Sequence, residues 1–277
     1  VSEFGPIKIT FLGSGSSSGV PGIGVGWGEC DPTNPKNARL RQSILVETAD
    51  KRFLVDTSPD LRQQLLREDV HGVDAVLYTH AHADHMNGID DLRGINKFIK
   101  KPLPIYSNEA THRHIEQCFG YTLKPLPPDD KKIFVRPVLE MNEFLPGDDL
   151  DVFGVKIGTF EQDHGFSKTV GFRFGRTVYS TDVKDLTEDV LTDLEAANLD
   201  VWIIGTFRWD EHWTHAHVDL ALKWISRVKP KKVILTHLGP DIDYAELKRQ
   251  SPENVTPAFD GMTVMISSEG GEIQISD

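Results

Sequence analysis

Four side chains able to bind a metal or move a proton fall within six residues in Thr79-His80-Ala81-His82-Ala83-Asp84-His85. Crowding three imidazoles and a carboxylate into one loop costs desolvation and mutual repulsion, and a divalent cation held among them repays that cost. His80 and His82 are separated by one small residue, so an extended or turning backbone aims both rings the same way. Asp84 and His85 follow closely enough to serve a second ion. A lone histidine in a loop is most simply a solvated polar residue, but histidines do not cluster at this spacing without a metal or a catalytic cause.

The loop must be delivered by a strand, and the apolar run 73–78 directly before it reads as one. Further strand-like runs occupy 7–12, 43–47, 53–55, 133–139, 152–160, 169–174, 177–179, 201–204, 232–235 and 262–266. Helical patterns lie between them: 59–68, with Ser58 as N-cap and proline in first position; 109–119; 186–197, preceded by Asp185; and 218–228, closed by Lys229-Pro230. Each half, about 1–125 and 130–277, opens with β structure and continues in strand–helix alternation, with KPLPPDDKK (124–132) as a surface connection between them. This order predicts two sheets packed together with helices outside, and hairpin-like runs near both half-starts weigh against a doubly wound parallel sheet.

The motif HxHxDH, followed by a distant His, a distant Asp and a last His, resembles the signature of the metallo-β-lactamase superfamily. Gln162-Asp163-His164-Gly165, Tyr179-Ser180-Thr181-Asp182 and Leu235-Thr236-His237 supply those later elements, each at a strand end. The resemblance spans nearly the whole chain and implies an α/β fold, an αββα four-layer sandwich of two mixed β-sheets with outer helices, in one domain. It implies two divalent ions, Zn, Mn or Fe: His80, His82 and His164 on the first, Asp84, His85 and His237 on the second, Asp182 bridging. Asp56, in Phe53-Leu54-Val55-Asp56-Thr57, matches a position that orients ligands from below. Two bridged ions lie about 3.5–4 Å apart and lower the pKa of a shared water toward roughly 7. With Asp84 in that centre, hydrolysis of a phosphodiester then lacks only an acid for the leaving oxygen.

Thr214-His215-Ala216-His217-Val218-Asp219-Leu220 offers that acid. Here the chain is most similar to the branch containing phosphoribosyl 1,2-cyclic phosphodiesterase and, more distantly, ribonuclease Z, in which a His-x-Asp-Leu carries a catalytic histidine. His217 takes the role by that match, with His215 second; capping the helix 218–228 is the alternative for His217. The Gly/Ser loop after the first strand also resembles this branch, and Ser14 is a candidate to touch substrate. The loop departs from the cyclic phosphodiesterase in one respect. That enzyme has a three-cysteine structural zinc site, whereas only Cys30 stands here, with Gly28, Thr33 and Pro240 where other ligands would fall. Arg208 as an anion contact and Trp209 or Trp213 as stacking surfaces are expected along the segment leading to His217. His71, His112 and His114 have no motif around them and are expected to be exposed.

Composition narrows the partners. With 30 Lys+Arg against 42 Asp+Glu the net charge is −12, which repels polyphosphate at long range and disfavours tight binding of long nucleic acids. No arm for gripping RNA is visible. Hydrophobic content of 39% and charged content of 26% are those of a globular protein, and no apolar stretch approaches the ~18 residues of a membrane span. Two separated cysteines, Cys30 and Cys118, give no disulfide framework, and the start lacks a signal-peptide pattern, so a cytoplasmic protein without membrane partners is expected. The expected activity is hydrolysis of a small cyclic or nucleotide-like phosphodiester, by a monomer or homodimer. Thioester or lactam hydrolysis on the same centre, and a non-hydrolytic accessory role in cofactor biosynthesis, are the alternatives.

Overall fold

Successive side chains on a strand face opposite ways, so a strand buried on both faces must be apolar throughout. In the computed structural model, which describes residues 5–126 and 134–276, the short apolar runs are strands of this kind. β1 to β6 are Ile7–Gly13, Ser43–Glu47, Arg52–Val55, Ala75–Leu77, Leu103–Ser107 and Leu139–Glu143. β7 to β13 are Asp149–Val152, Val155–Asp163, Lys168–Phe174, Thr177–Ser180, Val201–Gly205, Lys232–Thr236 and Val255–Pro257, and β14 and β15 are Thr263–Ile266 and Ile273–Ser276. One sheet runs β15-β14-β1-β2-β3-β4-β5-β6 and the other β13-β12-β11-β10-β9-β8-β7. Each joins an antiparallel part to a parallel part, β3 to β6 in the first and β10 to β13 in the second.

Alternation divides the core into layers. Phe53, Val55, Val201 and Ile203 point between the sheets with Phe11, Phe172 and Phe174. Their neighbours Leu54, Trp202 and Ile204 point outward beneath helices. The first sheet is covered by α1 (Leu61–Arg67), α3 (Leu92–Ile99) and α4 (Glu109–Phe119), the short α2 (Ala83–Met86) lying at its rim; the second is covered by α5 (Glu188–Ala196), α6 (Val218–Val228) and α7 (Tyr244–Gln250). The architecture is the expected four-layer sandwich of two mixed sheets. The expected halves do not map onto the sheets, because β6, β14 and β15 complete the first sheet from beyond residue 130. Among the described residues no helix is long and apolar enough to cross a membrane.

Several local expectations shift. The run 152–160 is a hairpin, broken by Phe153 and Gly154 at φ 57° and 86°. α1 starts at Leu61 because Asp60 turns its carboxylate to Arg41, and Ser58 instead accepts from Asp60 N and donates to Gln64. Thr187, not Asp185, caps α5. The run 133–139 becomes strand only from Leu139, and Ile133, like residues 127–132 of the expected connection, lies outside the described residues.

The loop between β1 and β2 is tied to the turn after β12 by side-chain hydrogen bonds. The Arg39 guanidinium, 2% exposed, donates to Gly239 O (3.2 Å), Ile242 O (2.9 Å) and Asn37 Oδ1 (3.0 Å). The Cys30 thiol donates to Ile242 O at 3.2 Å, and burial pushes its pKa up, keeping it protonated. Gly28 fits under Pro240, where a Cβ would lie 2.5 Å from the carbonyl oxygen. Arg39→Met removes the donors from two buried carbonyls, so the thermal midpoint should fall by roughly 5–10 °C. A scan showing no change would mean that the guanidinium does not hold this turn.

Candidate metal centre

Each expected ligand sits where a strand releases the chain at one rim. β4 ends at Leu77, Tyr78 and Thr79 follow, and His80 and His82, the latter extended, leave with ring centroids 4.5 Å apart. His82 is then the cap of α2, whose single turn carries Asp84 and His85. His164 follows β8, Asp182 follows β10 and His237 follows β12. Asp182 and His237 adopt φ of 48° and 58°, the left-handed region that costs a residue with a side chain about 1 kcal/mol or more. Gly205 makes room for the first of these turns, since a Cβ there would meet Asp182 N at 2.9 Å.

The side chains converge as two groups, His80, His82, His164 and Asp182, and Asp84, His85, Asp182 and His237, with the ligand atoms of each within 4.8 Å of one another. Asp182 belongs to both. Its Oδ1 lies 3.1 Å from His85 Nε2 and 3.2 Å from His237 Nε2, while Oδ2 lies 3.7 Å from His80 Nε2 and 3.6 Å from His164 Nε2. Asp56, buried and at φ 64°, accepts from Thr79 N (2.8 Å) and Thr79 Oγ1 (2.7 Å) and bonds His85 Nδ1 (2.7 Å), leaving His85 Nε2 for an ion. His164 Nδ1 donates to Thr214 O at 2.6 Å, with the same result for its Nε2.

The expected catalytic histidine is placed differently. His217 is the N-cap of α6, engaged through its backbone, and its imidazole makes no cap hydrogen bond. His215 instead reaches the centre: Nε2 is 3.2 Å from Asp182 Oδ2, and the ring stacks on His237 at 5.0 Å and meets His164 edge-on at 4.8 Å. Thr214 Oγ1 (2.8 Å) and His212 Nδ1 (3.1 Å) hold its other nitrogen, two contacts the sequence reading missed although the Thr-His-Ala-His run contained the first. Ser14 is fully buried and donates to Asp260 at 2.8 Å, so its hydroxyl is not presented to substrate. Arg208 is turned onto the carbonyls of Asp210 and Glu211, and Trp209 packs on the core beneath α6. Trp213 is exposed at the surface. His71 is exposed, while His112 and His114 are half-buried and His112 is bonded to Glu143.

The family model for the β-lactamase superfamily domain matches residues 51–238. The chain belongs to this superfamily. It is 30% identical to an octanoyltransferase of Porphyromonas gingivalis over 98% of its own length and 54% of that protein's, and 28% identical to a ribonuclease Z of Methanopyrus kandleri over 50% and 45%. It thus spans about half the length of these relatives. Among solved structures it is similar to a diphosphatase from the PhnP family, with a TM-score of 0.83 and 31% identity over 95% of this chain and 98% of that one. Its fold is also that of PqqB from Methylobacterium extorquens, with a TM-score of 0.71 and 16% identity over 92% and 99%.

This metallo-β-lactamase-fold centre fits divalent ions on its own chemistry. His80 Nε2, His85 Nε2 and both ring nitrogens of His237 are buried without a hydrogen-bond partner, an arrangement that is costly unless a cation takes the lone pairs. Burial lowers the pKa of His80 well below its usual value, lowers that of His82 and brings that of His164 down to about 4, so the three imidazoles of the first group carry no proton to displace at pH 7. His85 goes the other way: burial works against its charge, but Asp182, Asp84 and Asp56 overcome it and hold the pKa well above 6.5. An ion entering the second group must displace that proton, so affinity there should rise with pH, whereas the first group should be nearly indifferent above pH 6. Calorimetric titration of metal-free protein with Zn²⁺ in two buffers of different ionisation enthalpy measures this directly. One set of sites should release close to one proton and the other close to none; equal release at both would contradict the assignment.

Proposed function

We propose that the protein is a phosphohydrolase that uses two divalent ions, zinc or manganese, to cleave a small phosphodiester or diphosphate, with His215 as general acid. The Asp182 carboxylate carries this reading, since it offers one oxygen to each ligand group and has His215 against it. Ions held by the two groups, with Asp182 between them, would supply a nucleophile near neutral pH and would neutralise charge on the phosphoryl oxygens. The chain's own residues supply orientation and a proton. With Nδ1 held by Thr214 and His212, His215 keeps Nε2 directed at the centre, from which an Nε2–H would donate to the departing oxygen. The similarity to a PhnP-family diphosphatase and to ribonucleases Z supports phosphate chemistry, and the net charge of −12 favours a small substrate over long RNA.

A second reading, hydrolysis of an acyl thioester on the same ligands, draws on the octanoyltransferase relative. Nearly half of that protein's length lies outside the match.

The test compares His215→Ala with His217→Ala on a p-nitrophenyl phosphodiester, with metal content measured in each. We expect kcat to fall about 10²–10³-fold in the first and to stay within about threefold in the second, both retaining their metal. Asp182→Ala should lose metal from both groups. If His217→Ala is the damaging change, the acid is His217; if thioesters turn over and diesters do not, the second reading replaces the first.

A further inference from the structure

A groove of about 440 Å³ opens from the first ligand group, with His80 and His82 in its wall. It runs between the first turn of α4 and the β6–β7 turn, which contributes Phe144, Leu145 and Pro146. Larger hollows lie between α1 and α3 (660 Å³) and between β8 and α5 (530 Å³), but none of the metal-ligand candidates lines either. We propose that the groove beside His80 and His82 holds the part of the substrate retained after cleavage, and that this part is a nucleoside or another flat, uncharged group of similar size.

This inference rests on the phosphohydrolase reading and assigns the rest of the substrate to a place. His164 stands between the groove and the acid, its ring 5.0 Å from His82 and 4.8 Å from His215. A phosphate on the two ligand groups therefore has His215 on one side, where the leaving oxygen needs its proton, and the groove on the other. The retained substituent is left to enter it.

The lining selects the chemical class. Ala81, Ala110, Phe144, Leu145 and Pro146 give apolar walls, and Leu145 is 66% exposed, an apolar side chain at the mouth with nothing over it. A pocket of this size suits a small organic group, for which about 300–1,000 Å³ is typical. The charges at its edge are already paired: Lys168 with Glu161 at 3.6 Å and Glu109 with Arg113 at 3.2 Å. A further phosphate would have to compete with Glu161 and Glu109 for those cations, whereas a neutral planar group needs only the walls. Asn108 spends its side-chain oxygen on Thr111 N at 3.0 Å and keeps its amide nitrogen to donate to a base.

The experiment compares two diesters with the same leaving group, thymidine 5′-(p-nitrophenyl phosphate) and methyl p-nitrophenyl phosphate, in wild type, Leu145→Asp and Ala110→Asp. Leu145 is exposed, and an acid at position 110 is favourable in the first turn of α4, so neither change should disturb folding. For the thymidine diester kcat/KM should fall at least about tenfold in both variants, through KM, while the methyl diester stays within about twofold. Equal effects on the two diesters, or no effect on either, would overturn the proposal. If wild type cleaves neither diester, the phosphohydrolase reading has failed, and binding of thymidine 5′-monophosphate to the metal-loaded protein then decides on the groove: weaker binding in the variants supports it, and unchanged or undetectable binding removes it.

Discussion

One buried carboxylate organises the rim of this sandwich. Asp182 is 2% exposed and lies within 3.7 Å of imidazole nitrogens from His80, His85, His164, His215 and His237. Burial alone would raise its pKa, yet His237 and His85 hold it well below the usual carboxylate value. A charge taken out of water is tolerated only when its lone pairs are met, so the placement of Asp182 obliges four loops to deliver five histidines. Thr181 Oγ1 adds a hydrogen bond to Oδ1 at 2.9 Å, and Thr169 Oγ1 fixes the Asp182 carbonyl at 3.1 Å.

The sheets make that delivery possible. Asp56, His80, Asp182 and His237 follow β3, β4, β10 and β12, and these strands belong to the parallel parts, where successive strands point their carboxyl ends the same way. Asp56, Asp182 and His237 all leave their strands in the left-handed region, which turns the chain across the rim at once. Such strain persists only where the surroundings over-determine it. For His237 they do: Gln42 accepts from its N–H at 3.2 Å, Ser14 O holds Leu238 N, and Arg39 holds Gly239 and Ile242.

The first ligand loop was legible because its chemistry is local, four ligands in six residues before an apolar strand. The distant ligands His164, Asp182 and His237 were assigned through the family resemblance, and their places at the ends of apolar runs agreed with it. Long-range geometry was not legible. The start of α6 at Val218 was legible, and with it the capping alternative for His217; that His215 lies 3.2 Å from Asp182, 33 positions earlier in the chain, was not. Ser14 looked accessible in a Gly/Ser loop, but Asp260, nearly the length of the chain away, draws its hydroxyl inward. β5, with Pro104 in it, and the short β13 lack the apolar run that identifies a strand; their partners in the sheet supply what the local pattern does not.

The centre is held mostly by protein. His85 is fixed by Asp56, His164 by the Thr214 carbonyl and His80 by Thr79 Oγ1 at 2.9 Å, so each ring is oriented without an ion. Prior orientation lowers the entropy lost on binding and narrows the accepted geometry. His82 differs, being exposed and touching the other ligands through its Nδ1, 3.3 Å from His164 Nε2. That contact places two nitrogens of the first group against each other, both of which would serve as ligands to an ion. His82 lines the groove together with His80, and as the exposed ligand it marks the solvent-facing side of the centre, while Asp56, His85 and Asp182 form its buried side.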